Sequence, residues 1–224
     1  MTTTMTTNMT AATTDAAPIA ILGAGNVGAA LARNLRALGA DVHFGVPDPA
    51  AHRDLAERLG ARVGSVAEAV ATADRVVLAV PYAAALEIAA AIDDWRGRIL
   101  IDATNPLAPG LSGLSIGTTT SAAEQIAARA RNARVVKCFN ITGAENMADP
   151  GALDGPVFMP VAGDDADARA DVLALATRLG FDAVDAGPLR AARFTEAFAM
   201  TWIHLAFAAG QGRAWAFSRA QRRA

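Results

Sequence analysis

The sequence predicts an α/β fold: a doubly wound, mainly parallel sheet with a short helical segment at its C-terminal end. Three observations carry that reading. From Pro18 onward, short β-rich runs alternate with longer stretches of helical periodicity, the pattern of a parallel sheet covered on both faces. The first of these runs passes directly into three glycines spaced G-x-G-x-x-G, which open a helix. Beyond residue 187 only helical periodicity is left, over a stretch too short to bury a core alone.

Strands are expected at 19–22 (IAIL), 41–44 (DVHF), 61–63 (ARV), 75–80 (RVVLAV), 98–102 (RILID) and 134–139 (RVVKCF). Between them NVGAALARNLRALG, PAAHRDLAERLG and AAALEIAAAIDDW carry apolar residues at helical spacing, and two of these runs close on Gly. VFMPVAG, DADARADVLALATRLG and DAVDAG form a further strand–helix–strand unit that should extend the same sheet. Three segments result. Residues 1–17, rich in threonine and almost uncharged, read as a disordered tail. Residues 18–187 read as the sheet domain. Residues 188–224 read as helices that must pack on the sheet or on a second subunit, and a homodimer is the expected assembly.

Composition narrows the function. The chain is 53% hydrophobic and 19% charged with a formal net charge of −2, and it has no basic block, which excludes nucleic acid as the main partner. One cysteine excludes an internal disulfide and suits a reducing compartment. The longest apolar stretch, 79–92, contains Pro81, Tyr82 and Glu87 and is too short to span a bilayer. The N-terminus has neither a basic region nor an apolar core of the secretory kind. The expectation is a cytoplasmic protein with no membrane partner.

The glycine array is the strongest chemical signal. In ILGAGNVG, Gly23 permits a tight turn, Gly25 lets a pyrophosphate approach the backbone, and Gly28 lets helix and strand pack closely. Ala24, Asn26 and Val27 complete the turn, and the helix N-terminus offers N–H groups to the anion. With strand and helix both in place, the array points to a dinucleotide on a Rossmann-type sheet. Which dinucleotide depends on the end of the second strand, where an acid favours NAD and an arginine favours NADP. Here the chain reads Val46-Pro47-Asp48. Asp48 lies 20 positions after Gly28, as a NAD acid would, but between two prolines it reads better as a turn or N-cap residue. His52 and Arg53 are the nearest cations for a 2′-phosphate.

The motifs ILGAGNVG, VLAVPY, LIDATNPL, SAAEQIA, VVKCFNITGAENM, PVAGDD and DAGPLRAAR together resemble the NADPH:coenzyme F420 oxidoreductases, relatives of the reductase domain of the six-transmembrane metalloreductases. The resemblance runs from about Pro18 to the C-terminus. It implies hydride transfer between a nicotinamide dinucleotide and a small-molecule redox acceptor, either the deazaflavin coenzyme F420 or a flavin, across a cleft between sheet and C-terminal helices. NADP(H) is the favoured cofactor, with NAD(H) the alternative. By resemblance, Ala79, Val80, Pro81 and Tyr82 hold the nicotinamide half, as do Asn140, Thr142, Gly143 and Ala144. Val46-Pro47 departs from the family, which offers a hydroxyl residue and then Arg there to clamp the 2′-phosphate.

Hydride transfer needs two stacked rings and excluded water, and no nucleophile, so no catalytic side chain is assigned. Asn105 and Pro106 fall at the carboxyl edge of the sheet, where ligands gather. Lys137 and Cys138, the sole lysine and sole cysteine, sit side by side but alternate to opposite faces. Cys138 reads as core, Lys137 as a strand-end residue reaching solvent. Asp102 reads as a strand-end carboxylate bonding loop N–H groups, and His204 as a core histidine. Trp202, Phe207 and Phe198 fit either core or a subunit contact. No cluster has metal-ligand spacing. Two rivals stand beside this reading. One is a reductase of a small imine or carbonyl substrate; its hydroxyacid dehydrogenase branch relies on a lysine absent after Asp185. The other is a non-catalytic module that senses NADP(H).

Overall fold

The protein is described by a computed structural model over residues 17–222. All of the predicted N-terminal tail except Ala17 lies outside the described residues.

Eight strands form one sheet: β1 (Ile19–Leu22), β2 (Val42–Gly45), β3 (Arg62–Gly64), β4 (Arg75–Leu78), β5 (Ile99–Asp102), β6 (Arg134–Lys137), β7 (Phe158–Gly163) and β8 (Asp182–Gly187). Their order is β3-β2-β1-β4-β5-β6-β7-β8, the Rossmann arrangement with two strands added at one edge. β1 to β6 pair in parallel, β7 runs antiparallel to β6, and β8 is parallel to β7. The helices are α1 (Asn26–Ala37), α2 (Arg53–Leu59), α3 (Val66–Ala71), α4 (Tyr82–Ala91), α5 (Ala122–Ala127), α6 (Ala144–Ala148), α7 (Ala166–Arg178) and α8 (Ala192–Ile203).

Alternation along each strand fills both faces. Ile19, Ile21, Val77, Ile101 and Val136 belong to one buried cluster, and their neighbours Ala20, Leu22, Val76, Leu100 and Val135 to the other. A strand buried on both sides has to be apolar throughout, as these are. The helix α3 was not anticipated. Its start is fixed by a capping box, in which Ser65 N–H donates to Glu68 Oε2 (2.7 Å) and Glu68 N–H donates to Ser65 Oγ (3.3 Å).

Three expectations are corrected. β4 ends at Leu78 rather than 80, because Ala79–Pro81 turn into α4, with Pro81 as its extended N-cap. β6 ends at Lys137 rather than 139, because Phe139 adopts a left-handed conformation (φ 59°) that swings the chain off the sheet. The C-terminal segment is not helical throughout. After α8 and a π-helical turn (His204–Ala208), residues 209–222 run as an irregular strap.

Side-chain packing overrode helical periodicity in that strap. Phe217 packs on Phe198 of α8 (centroids 4.2 Å apart), Phe158 N–H donates to the Phe217 carbonyl (2.9 Å), and Arg219 bonds Asp182 through two nitrogens (3.0 and 2.8 Å). Gly210 and Gly212, at φ 69° and 72°, turn the chain out of the helix.

Candidate active site

Strand order reverses between β1 and β4, so the loops after these strands flank a crevice at the carboxyl edge of the sheet. The glycine turn fills one side of it. At Gly23 (φ 104°) a Cβ would lie 2.5 Å from the Ala79 carbonyl oxygen and 2.7 Å from Val80 Cγ1, so the turn is pressed directly against the loop 79–82. At Gly28 a Cβ would meet the Gly23 carbonyl oxygen at 2.1 Å. Gly25 is different. It is exposed, with no heavy atom within 4 Å of an added Cβ, and it precedes a 12-residue helix with no side-chain cap and no acid in its first turn. Free N–H groups at a positive helix end beside open space make a seat for an anion. Ala24 and Val27 are half-buried and Asn26 is exposed at the mouth of this turn.

A cleft of about 200 Å³ continues from Asn26 and Val27 across the ends of β5 and β6. Its floor is Ala103, Asn105, Asn140 and Thr142; its far wall is Trp202 and Ile203 of α8 with Phe207. Asn105 and Asn140 lock each other, through Asn105 Nδ2 to the Asn140 carbonyl (2.8 Å) and Asn140 Nδ2 to Asn105 Oδ1 (2.9 Å). Thr142 Oγ1 accepts from Asn146 (2.8 Å). Gly143 lies under the indole of Trp202, where a Cβ would sit 2.8 Å from the ring, and Ala144 begins α6 at the rim. The left-handed turn at Phe139 brings Asn140 to this floor. Three buried side-chain atoms remain unpaired among the described residues: Asn140 Oδ1 on the cleft floor, Thr104 Oγ1 between the floor residues Ala103 and Asn105, and Arg36 Nε beside Gly60. Leaving such an atom without a partner costs about 1–3 kcal/mol, so Asn140 Oδ1 suits a ligand that carries an amide. The open glycine turn and Asn140 Oδ1 fit the pyrophosphate and carboxamide ends of a nicotinamide dinucleotide.

Tyr82 stands at the start of α4, half-buried, donating to Gln125 Oε1 (3.0 Å), and burial raises its pKa above the ordinary value, so the phenol stays neutral. Pro81 is exposed beside it, and Pro106 is buried behind Asn105. The loop after β2 is laid out differently from a phosphate clamp. Val46 is buried with its side chain in the core, and Pro47 is exposed. Asp48 Oδ1 accepts from the N–H groups of Ala50 (3.0 Å) and Ala51 (3.3 Å), as a turn residue does. Arg53 is exposed at the head of α2, with no ion-pair partner among the described residues.

Beneath the cleft lies a cluster that the sequence reading misjudged. Lys137 does not reach solvent; it is wholly buried, 2.9 Å from Asp102 Oδ2 and 3.0 Å from Glu196 Oε1, and it also donates to the Thr104 carbonyl. Burial pushes the ammonium's pKa down, and the two carboxylates beside it outweigh that, leaving it above its ordinary value. Asp102 does bond a loop N–H, that of Thr104 (2.8 Å), and Glu196 accepts from Ala122 and Ala123 at the start of α5 (2.9 and 3.2 Å). One cation therefore ties β5, β6, α5 and α8 together. The carboxylates that hold Lys137 come from residues 35 before and 59 after it, so only the tertiary fold could reveal them. Cys138 is buried on the opposite face, and burial raises its thiol out of the range of a thiolate. His204 is also corrected: it is exposed at the end of α8 and takes no part in the core.

Residues 18–106 match the family described as NADP oxidoreductase, coenzyme F420-dependent. A crystal structure assigned as an F420-dependent NADP-reductase from Arthrobacter sp. FB24 is 32% identical, with a TM-score of 0.78, and covers 91% of this chain and 99% of its own. The chain belongs to this family. It is an NADP-dependent oxidoreductase. A second crystal structure, that of the hypothetical protein SMa0349 from Sinorhizobium meliloti, is 31% identical with a TM-score of 0.73 over 79% of this chain and 88% of its own. The metalloreductase STEAP3 of Rattus norvegicus is 30% identical over 183 residues, 82% of this chain; the chain spans 36% of that protein's length. Among the described residues of the enzyme, no helix is long and apolar enough to cross a membrane.

Proposed function

We propose that the enzyme transfers a hydride between NADP(H) and a flat deazaflavin or flavin-type acceptor, with coenzyme F420 the favoured partner. One observation carries this reading. The cleft walls are amides, a hydroxyl, apolar groups and an indole, and among the described residues the charged side chains lining it, Glu145 and Arg213, are paired with each other at its rim. Among the described residues lining it there is no histidine, lysine, tyrosine or unpaired carboxyl to act as a proton donor. Reduction of an imine or carbonyl requires one at the acceptor atom, whereas a deazaflavin or flavin takes its proton from solvent at the ring edge. Lys137 cannot serve as that donor, since it is buried under the floor and bound to two carboxylates.

The bound nucleotide supplies the hydride. The chain's part is placement. Gly23, Ala24, Gly25, Asn26, Val27 and Gly28 seat the pyrophosphate. Asn140 Oδ1 accepts from the carboxamide and fixes which face of the ring looks outward. Gly143 and Ala144 leave room for that ring, and Trp202 closes the cleft against water. Residues 18–187 thus carry the nucleotide and 188–222 supply the opposing wall.

The test mixes purified enzyme and NADPH with F420, FMN, FAD and ferric chelate in turn and follows acceptor absorbance. Bleaching of a deazaflavin or flavin is expected. Oxidation of NADPH only by an imine or ketone would overturn the reading. We also propose a homodimer through α8, where Phe194, Ala197, Thr201 and His204 are exposed at helical spacing, Phe194 at 66%. Sedimentation should show a dimer that Phe194→Glu converts to a monomer.

A further inference from the structure

The irregular strap passes over the cleft, and Arg213 is the residue it puts there. Arg213 and Glu145, on the first turn of α6, form an ion pair at the rim. The guanidinium also rests over the Phe207 ring, 5.9 Å from its centroid. Both charged residues line the cleft and also a neighbouring hollow of about 280 Å³, and Asn26 of the glycine turn lines the same two spaces. Arg213 therefore faces the uncapped start of α1 across the entrance through which an anion must come. Glu145 stands in that entrance too, and a phosphate entering it would be repelled unless the carboxylate were neutralised.

The strap is built to let Arg213 change partners. Residues 207–214 are all exposed. Gly210 and Gly212 have left-handed backbones with nothing within 4 Å of an added Cβ, while Gly212 N–H donates to the Ala206 carbonyl (3.2 Å) and its own carbonyl accepts from Trp215 Nε1 (2.9 Å). The link is nonetheless tethered at both ends. Gln211 N–H donates to the Leu205 carbonyl (3.0 Å), and the Trp215 carbonyl accepts from Trp202 Nε1 (3.0 Å) and Asn146 Nδ2 (2.8 Å). The backbone is thus fixed at Gly212 and again at Trp215, and the long, exposed Arg213 side chain between them is what can swing within the site. The side chains of Arg213 and Glu145 are 44% and 46% exposed, and an ion pair so open to water holds weakly. A guanidinium on a phosphate makes two parallel charge-assisted bonds and is the stronger contact.

We propose that Arg213 is a phosphate clamp that leaves Glu145 for a phosphate group of the ligand in the cleft. This rests on the reading of the cleft as a nucleotide and acceptor site. The phosphate can be the pyrophosphate common to NADPH and NADH, or the phosphate ester of a flavin-type acceptor. Both present the same chemistry to Arg213, and titration separates them.

The experiment measures dissociation constants by calorimetry for NADPH, NADH, FMN and the phosphate-free riboflavin. It uses wild type, Arg213→Gln, Arg213→Lys, Glu145→Gln and, as a control for lost net charge, Arg96→Gln at the exposed amino edge of the sheet, with thermal melting to confirm folding. If the pyrophosphate is the partner, Arg213→Gln weakens NADPH and NADH alike by roughly ten- to a hundredfold. Arg213→Lys then falls between it and wild type, Glu145→Gln tightens both nucleotides, and Arg96→Gln shifts neither by more than about twofold. If the acceptor is the source, Arg213→Gln leaves both nucleotides unchanged and weakens FMN but not riboflavin. Nucleotide and FMN affinities both unmoved by Arg213→Gln, or moved equally by Arg96→Gln, would overturn the clamp. Wild type that binds neither nucleotide would overturn the reading of the cleft along with it, so the two failures are distinguishable.

Discussion

Replacing Lys137 by Met tests the buried cluster most directly. Met is close to Lys in length and keeps the packing, so the change isolates the charge. In the native protein one ammonium lies 2.9 Å from Asp102 and 3.0 Å from Glu196, and both carboxylates are buried to within 1% of complete. Removing the cation leaves two facing anions with no counter-charge. Breaking a buried pair in this way costs about 3–5 kcal/mol, a large part of the ~5–15 kcal/mol that holds a domain together. At roughly 2–4 °C per kcal/mol for a chain of this size, the melting temperature should fall by about 6–20 °C. Urea unfolding should show a lower midpoint with an unchanged slope. Lys137→Met combined with Glu196→Gln should recover part of the lost stability. A melting temperature within about 2 °C of wild type at pH 8 would refute the account of Lys137 as the tie between sheet and α8.

Three further outcomes follow from the same geometry. Gly25→Val should fold normally, because nothing surrounds that position, yet lose nucleotide binding in calorimetry, whereas Gly28→Ala should fail to fold, because its Cβ would meet the Gly23 carbonyl oxygen at 2.1 Å. Pro47→Arg puts a guanidinium on the exposed loop after β2 and should raise preference for NADPH over NADH by roughly tenfold or more; equal affinities would show that the 2′-phosphate lies elsewhere. Glu124, whose pKa is lowered chiefly by its hydrogen bond from Arg193, contributes stability that is complete above the unfolded carboxyl value and lost as pH falls through the lower folded one. Acid titration below about pH 4.5 should therefore narrow the stability gap between wild type and Glu124→Gln.

The sheet was legible because its central strands are apolar on both faces and the three glycines of the turn follow the end of β1 at fixed spacing. Those are properties of neighbouring residues, so IAIL followed by GAGNVG could hardly be read otherwise. The short helix α3 was passed over because only a few residues and a capping box announce it. The apolar runs overshoot the ends of β4 and β6 by two residues each because they do not stop where hydrogen bonding does; Pro81 and the left-handed Phe139 end the strands.

The sequence by itself determined the glycine turn, the order of strands and helices and the family motifs, since all of these are encoded within a few residues of one another. Tertiary structure alone decided the rest. Lys137 reads locally as a polar strand end, and only the arrival of Glu196 on α8 and Asp102 on β5 makes its burial tolerable. The tail reads locally as helix, and only contacts with Phe198, Asn146 and Asp182 hold it as a strap. Charge pairing and aromatic packing act between residues far apart in the chain, so their outcome is set by which surfaces the fold brings together and leaves no local pattern to read.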